Sequence, residues 1–304
     1  MPLCDFHVHS TASDGKLSPS RLVEEAARSS LAALALTDHD TLAGVAEART
    51  RANQLGLLFI PAVELSVDLH TGGSAHLLGY FPGVPDSRFL DSDSELQKAV
   101  KTVISGRDRR NPEIVSKFRE LGFSITMDEV LEEADGAVTG RPHIAAVLVK
   151  KGYFSSSREV FDRYLGSGKP AYVNRERLGD FKAVKIIRQA GGLPVLAHPK
   201  YIRTEGLKGL EALICSLADA GLSGLEAYYP EQGPEIVSLL EKTAEKRNLL
   251  LTGGSDFHGI KRQLPGWNDG SFGVEEELVR EFITVCRDSE RILNGHTERA
   301  DEEN

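Results

Sequence analysis

Residues 31–40 read LAALALTDHD: six apolar residues, a threonine, then three ionisable groups in a row. An apolar run without alternation is what a strand buried on both faces requires, and such strands belong to parallel sheets covered by helices. Asp38, His39 and Asp40 then stand at the strand's C-terminal edge, where an ordinary core role is hard to justify because burying unpaired charge is costly. Capping of the helix expected over 43–54 accounts for one of them, most naturally Asp40. It leaves His39 unexplained.

The pattern recurs on both sides of this stretch. Upstream, the apolar run 3–8 carries His7 and leads to His9; residues two apart leave an extended strand on the same side, so both imidazoles can approach one ion. A helix over 19–28 follows Ser18. Downstream, the run 57–63 ends at Glu64, and a short strand over 74–80 contains His76. From 91 to 168 the chain reads as helices, over 95–110, 112–121, 126–134, 142–150 and 158–165, separated by turn signals at Gly122, Gly136 and Gly152. After Tyr172 strands and helices alternate again: helix 181–190, strand 193–197 delivering His198-Pro199, helix 206–220, strand 222–227, helix 234–247, and strand 249–252 feeding Asp256-Phe257-His258. A helix over 276–290 and a frayed charged end over 298–304 complete the reading. About seven strand–helix units predict an α/β fold closed as a distorted barrel from 1–90 and 169–304, with 91–168 as an inserted small helical domain.

At 304 residues and 40% hydrophobic, the chain can bury one large core and a smaller one. Cys4, Cys215 and Cys286 are odd in number and widely spaced, which fits a reducing compartment better than a disulfide framework. No run approaches the roughly 20 apolar residues of a spanning helix, and no basic segment precedes an apolar one near residue 1, so the expectation is a cytoplasmic protein without membrane partners. A net charge of −9 argues against broad coating of a nucleic-acid backbone but leaves room for a local anion site, since bound cations would cancel acids in the site.

His7, His9, Asp14, His39, Glu64, His76, His198, Asp256 and His258 mostly stand at strand ends that an α/β fold brings together. Singly, each has a plain reading: Asp14, in the loop STASDG, serves equally as a turn residue, and His7 and His9 equally as histidines without a metal. Together, six imidazoles and three carboxylates without a nearby thiolate suit manganese, iron, zinc or magnesium. Nine donors exceed the needs of one tetrahedral ion, and Glu64 is the best bridging candidate for two or three ions about 3.5–4 Å apart. Arg141 and His143, in GRPH at a helix start, are candidates for gripping phosphate, with an ordinary salt bridge as the other reading of Arg141. His70 and His296 read as surface or capping groups, and Lys169, Lys200, Arg203, Lys261 and Arg262 as solvated loop residues.

These motifs, HxH at 7–9, Asp14-Gly15, TDHD at 37–40, Glu64, His76, His198-Pro199 and DFH at 256–258, resemble the polymerase and histidinol phosphatase (PHP) superfamily over residues 3–82 and 170–296. GRPH at 140–143 and the helical insert are similar to its stand-alone phosphoesterases acting on nucleoside 3',5'-bisphosphates or on short RNA from the 5' end. The resemblance implies a distorted (β/α)7 barrel with two or three divalent ions, manganese ahead of iron, zinc or magnesium. His7, His9, Glu64 and Asp256 would hold one ion, Glu64, His76 and His198 a second, and Asp14, His39 and His258 a third, with His143 competing with His198 for the second. It further implies catalytic roles for Arg141, His143 and His198: charge stabilisation by Arg141, and protonation of the leaving ribose oxygen by His143 or a water. The expected activity is hydrolysis of the 3'-phosphate of nucleoside 3',5'-bisphosphates to the 5'-monophosphate. Alternatives are 5'-3' exonuclease action on short RNA, histidinol-phosphate phosphatase, and, in another class, a non-catalytic metal-stabilised binding protein.

Overall fold

The computed structural model describes residues 3–175, 177–230, 232–259 and 274–301, with the side chains of the last helix described as far as Arg291. The expectations placed on Lys261, Arg262, the side chain of His296 and the frayed end therefore lie outside the described residues. Strand β1 (Leu3–Val8), helix α1 (Pro19–Arg28), β2 (Leu31–Leu36), α2 (Val45–Leu55), β3 (Leu58–Asp68) and β4 (Ser74–Tyr80) form the first half of the barrel. Helices α3 (Asp86–Phe89), α4 (Glu95–Glu120), α5 (Met127–Ala134), α6 (Arg141–Lys150) and α7 (Ser157–Val160) follow. The chain then returns through β5 (Leu178–Gly179), α8 (Asp180–Gln189), β6 (Leu193–Leu196), α9 (Gly206–Asp219), β7 (Gly224–Tyr228), α10 (Pro234–Arg247), β8 (Leu250–Gly253), β9 (Val274–Glu275) and α11 (Arg280–Asp301).

The strand order is β8-β7-β6-β4-β3-β2-β1-β9, with β5 beside β3. The sheet is mixed, because β4 runs antiparallel to both β3 and β6. Beyond β8 the chain closes on β1 through a parallel bridge between Val8 and Phe257, so the architecture is a nearly closed barrel flanked by helices, with an inserted helical subdomain. Two apolar layers hold it. Cys4, Phe6, Ala33, Ala35, Ile60, Ala62, Leu78, Tyr80 and Val195 fill the interior, stopped at one end by Phe282, Ile283 and Cys286 of α11. Leu34, Leu36, Val63, Leu65 and Leu77 face the helices instead.

Three expectations are corrected. Glu64 does not end its strand: β3 runs on to Asp68 because β4 folds back on it, Glu64 opposite Leu78, through a turn in which Gly72 and Gly73 take φ of 92° and 82°. The helices expected over 95–110 and 112–121 are one, α4, continuous through Pro112. Burial of Asn111, Ile114 and Val115 around it outweighs the roughly 3 kcal/mol that an interior proline costs. Asp40 does not cap α2, whose cap residue is Gly44. It is fully buried, and its carboxylate accepts from the Ser66 amide at 2.8 Å and from Arg107 Nε at 3.0 Å, a charge partner that no local reading reveals.

The first half of α4 packs Leu96, Ala99, Val100 and Val103 on the barrel's outer layer, while Ile114, Val115 and Phe118 join Val130, Ile144, Leu148 and Phe154 in a separate small core. The insert is thus anchored by a helix shared between two cores. Among the described residues no helix is long and apolar enough to cross a membrane, and all three cysteines are free.

Candidate metal centre

Barrel closure assembles the site. Phe6 belongs to the interior layer and Val8 to the outer one; β1 changes face between them, where its register with β2 shifts, and His7 and His9 consequently face inward. The chain leaving β8 bonds to this edge, Asp256 N–H to His7 O and His9 N–H to Phe257 O, both at 2.8 Å, which carries Asp256 and His258 to the two histidines. Only glycine fits at 254, where a Cβ would lie 2.3 Å from His7 Cβ. His39 and Glu64 pair across a parallel bridge, while His76 on β4 and His198 beyond β6 come in from the other side. His198 adopts φ of 28°, a strained conformation for a side chain with a Cβ and of the kind that collects at functional sites.

Glu64 is the hub. Its Oε1 lies 2.7 Å from His76 Nδ1 and 2.8 Å from His198 Nε2; its Oε2 lies 2.7 Å from His39 Nδ1 and 3.4 Å from Nε2 of both His7 and His9. Asp256 Oδ1 is 3.1 Å from His9 Nε2 and 3.5 Å from His7 Nε2, and Asp14 Oδ1 is 3.4 Å from His258 Nε2. Four overlapping sets place their donor atoms within 4.8 Å of one another: His9, Asp14, His39 and His258; His7, His9 and Asp256; His7, Glu64 and His198; His39, Glu64 and His76. All nine residues singled out in the sequence are brought together, with His198 and not His143 beside Glu64.

The donors fit cations. Of the eight buried side-chain polar atoms without a hydrogen-bond partner among the described residues, six belong to this cluster: His7 Nε2, both nitrogens of His9, His39 Nδ1, Glu64 Oε2 and His198 Nδ1. Such orphans are rare without an ion or water to satisfy them. Burial, reinforced by His258 and His39, pushes His9 down to about 3, which keeps its imidazole neutral, the form that ligates. Burial alone would lift the Glu64 carboxyl, but the imidazoles of His39, His76 and His7 hold it well below the usual carboxylate range. Burial likewise disfavours protonated His7, yet Glu226, Glu64 and Asp256 raise it well above its usual value, so the carboxylates demand positive charge at that point.

Sequence reasoning missed the groups that orient these donors. Glu226, fully buried on β7, receives His7 Nδ1 at 2.8 Å on Oε1 and the His198 amide at 2.6 Å on Oε2. A lone carboxylate inside the apolar run LEAYY carries the signal that marked Glu64, and could have been found by it. Tyr229 donates to Asp256 Oδ2 at 2.8 Å, and Asp38 accepts from the Ser10 amide and the Ser10 and Ser13 hydroxyls, each at 2.7 Å, shaping the loop that presents Asp14.

Arg141 and His143 stand outside the donor sets. Arg141 donates to Leu165 O at 3.2 Å and lies 5.6 Å over the Phe161 ring. His143 caps its own helix, its Nδ1 accepting the Gly140 N–H at 3.1 Å. His70 is tied to Asp180 Oδ2 at 2.7 Å and to Ser216 Oγ at 3.2 Å, a joint between the β3–β4 turn and the outer helices. Lys200 and Arg203, expected as solvated loop residues, line a cleft that begins at Asp256.

The PHP domain model matches residues 5–165, more than half of the chain. The chain belongs to the PHP family. It is 35% identical to a 5'-3' exoribonuclease of Haemophilus influenzae over 92% of this chain and 97% of that one. It is 32% identical to a 3',5'-nucleoside bisphosphate phosphatase of Chromobacterium violaceum over 93% of each. A structure from Bifidobacterium adolescentis assigned as a metal-dependent phosphoesterase superposes with a TM-score of 0.78 at 27% identity, over 91% of this chain and 94% of that one. With a PHP fold and four donor sets suited to two or three divalent ions, the protein is a metal-dependent phosphoesterase.

Proposed function

We propose that this PHP phosphoesterase hydrolyses the ester at the 3'-oxygen of a 5'-phosphorylated nucleotide, removing nucleotides from the 5' end of short RNA and taking nucleoside 3',5'-bisphosphates as the smallest substrates. The cleft carries the reading. From Asp256 it opens to about 1510 Å³ between barrel and insert, lined by Arg141, Arg158, Arg177, Lys200 and Arg203 in a chain whose net charge is −9. Small-molecule pockets enclose roughly 300–1,000 Å³, so there is room for more than one nucleotide. The exposed ring of Tyr201 at the same mouth offers a stacking face that any base can use. The names of the relatives, an exoribonuclease and a bisphosphate phosphatase, support the same chemistry.

One bond serves both substrates. Water adds its oxygen to phosphorus, the P–O3' bond breaks, and the 3'-oxygen keeps the bonding electron pair and gains a proton. A bisphosphate then yields phosphate and nucleoside 5'-monophosphate; an RNA yields the monophosphate and a shortened chain with a fresh 5'-phosphate. Divalent ions, manganese ahead of iron, zinc or magnesium, would supply Lewis-acid polarisation of the phosphoryl group and acidify water. His7, His9, Glu64 and Asp256, then Glu64, His76 and His198, then Asp14, His39 and His258 would hold them. Glu226 fixes His7 and the His198 backbone. Arg141 binds a substrate phosphate, and His143, whose Nδ1 accepts the Gly140 N–H, keeps its proton on Nε2 as a donor to the substrate.

The test is a side-by-side assay of a 5'-phosphorylated RNA tetramer, adenosine 3',5'-bisphosphate and histidinol phosphate with metal-replete protein. Stepwise release of 5'-monophosphates and hydrolysis of the bisphosphate are expected, and both should vanish in His7→Ala and Asp256→Ala. Turnover confined to histidinol phosphate overturns the reading.

A further inference from the structure

The cleft has two basic sides that differ in kind. On the side of the insert and the segment before β5 the cations form a closed cluster: Arg107, Arg110 and Arg175 are buried, and the side chain of Arg177 is only 6% exposed. On the barrel side Lys200, Tyr201 and Arg203 line the same cleft along an open rim, where Arg203 is exposed and Tyr201 keeps 53% of its surface in water. A nucleoside 3',5'-bisphosphate with one phosphate at the metal donors has a single phosphate left, so it cannot use both sides. An RNA chain can, because a second linkage follows the one that reacts.

The rim is built to hold its shape. His198, whose Nε2 lies beside Glu64, takes φ of 28° and is followed at once by a single 3-10 turn, Pro199–Tyr201. Tyr201 N–H donates to His198 O at 3.1 Å and Ile202 N–H to Pro199 O at 3.0 Å. Pro199 and Ile202 are buried beneath the turn. Gln232 ties it to β7, its Oε1 accepting the Lys200 amide at 3.4 Å and its Nε2 donating to Ala227 O at 2.6 Å. The Tyr201 ring makes T-shaped contacts with the rings of His198 at 5.5 Å and Tyr229 at 5.9 Å, and Lys200 Nζ stands 5.0 Å from its centroid. A single exposed aromatic needs no explanation. One clamped on a strained turn beside a metal donor, inside a cleft and between two cations, is placed like the stacking platform of a single-strand channel.

We propose that Lys200, Tyr201 and Arg203 hold the nucleotide on the 3' side of the scissile linkage, its base stacked on Tyr201 and its next phosphate beside Arg203, so that the enzyme prefers chains to bisphosphates. The openness of the rim decides between the two sides. A strand of variable length must leave the site over an edge that water reaches, whereas the closed side ends in buried groups. Stacking is tolerant of sequence because every base has a π-face, which suits an enzyme that shortens a chain one nucleotide at a time. The subsite rests on the nucleotide reading above and adds a second position to it.

The test is the ratio of kcat/KM for a 5'-phosphorylated RNA tetramer over that for adenosine 3',5'-bisphosphate, from initial rates of metal-replete protein. Tyr201→Leu should lower the ratio about 5- to 150-fold, the worth of one base stacked on an aromatic ring. Tyr201→Phe, which keeps the ring, should hold the wild-type ratio. A tetramer lacking the base of its second nucleotide should show the same loss with wild-type protein and no further loss with Tyr201→Leu. Arg203→Gln should also lower the ratio, and make the logarithmic slope of tetramer kcat/KM against salt shallower by about 0.7, the share of one phosphate contact on a single strand. An unchanged ratio in Tyr201→Leu, an equal fall on both substrates, or losses that add when the abasic tetramer meets that variant overturns the subsite. Wild-type protein that hydrolyses neither substrate overturns the nucleotide reading, and the subsite with it.

Discussion

Replacing Glu226 by Gln isolates the orienting shell without removing a metal donor. Glu226 lies fully buried between two hydrogen-bond donors: His7 Nδ1–H, protonated when Nε2 faces a cation, and the His198 amide. Glutamine has the same shape but presents one oxygen and one NH2. If the oxygen keeps the amide at the 2.6 Å contact, the NH2 meets His7 Nδ1–H, and the ring must either leave a buried donor unpaired or shift its proton to Nε2, the atom needed for metal. An unsatisfied buried donor costs about 1–3 kcal/mol, and losing such an orienting partner typically lowers metal affinity about 10- to 100-fold. Manganese titration of metal-depleted protein against a competing chelator reads this directly, with circular dichroism confirming the fold. An affinity within twofold of wild type would refute the claim that Glu226 sets the His7 tautomer.

Two further substitutions test the scaffold. Asp40→Asn leaves Arg107 and Arg175 buried around a neutral amide and should lower the unfolding free energy in urea by about 3–5 kcal/mol. Burial opposes ionisation of Asp40, but Arg107 and Arg175 hold its pKa below the ordinary carboxylate value, so its contribution is complete above the unfolded pKa near ~4 and is lost as pH falls through the folded one. The gap between wild type and variant should accordingly be equal at pH 5 and pH 8, and a gap that shrinks by pH 5 contradicts the assignment. Gly254→Ala places a methyl group against His7 and should cost about 1–3 kcal/mol as the β8 loop is forced off β1. Reduced manganese stoichiometry should accompany it, and full loading at wild-type stability would show that the close approach is not needed.

Most of the metal donors were legible because they follow or interrupt an apolar run, where a charged or imidazole side chain has no local excuse, whereas Asp14, in the polar loop STASDG, carries no such signal. His39 after LAALAL and His198 after LPVLA are the clearest cases. The mixed order of the sheet was not legible, since nothing in 57–80 distinguishes a hairpin from two parallel strands beyond Gly72-Gly73. Asp40 was misread because its partners, Arg107 and Arg175, are 67 and 135 residues away. The basic cluster was invisible for the same reason: arginines on a long helix are ordinarily solvated, and only the packing of α4 across two cores buries Arg107 and Arg110.

The central claim is that nine dispersed side chains converge to hold divalent ions over a phosphoester. An anomalous-difference map from crystals of active, manganese-loaded protein examines it most directly. Two or three peaks within bonding distance of Glu64, Asp256, Asp14 and the six imidazoles are expected; an empty map at that cluster, from protein that still turns over its substrate, contradicts the account.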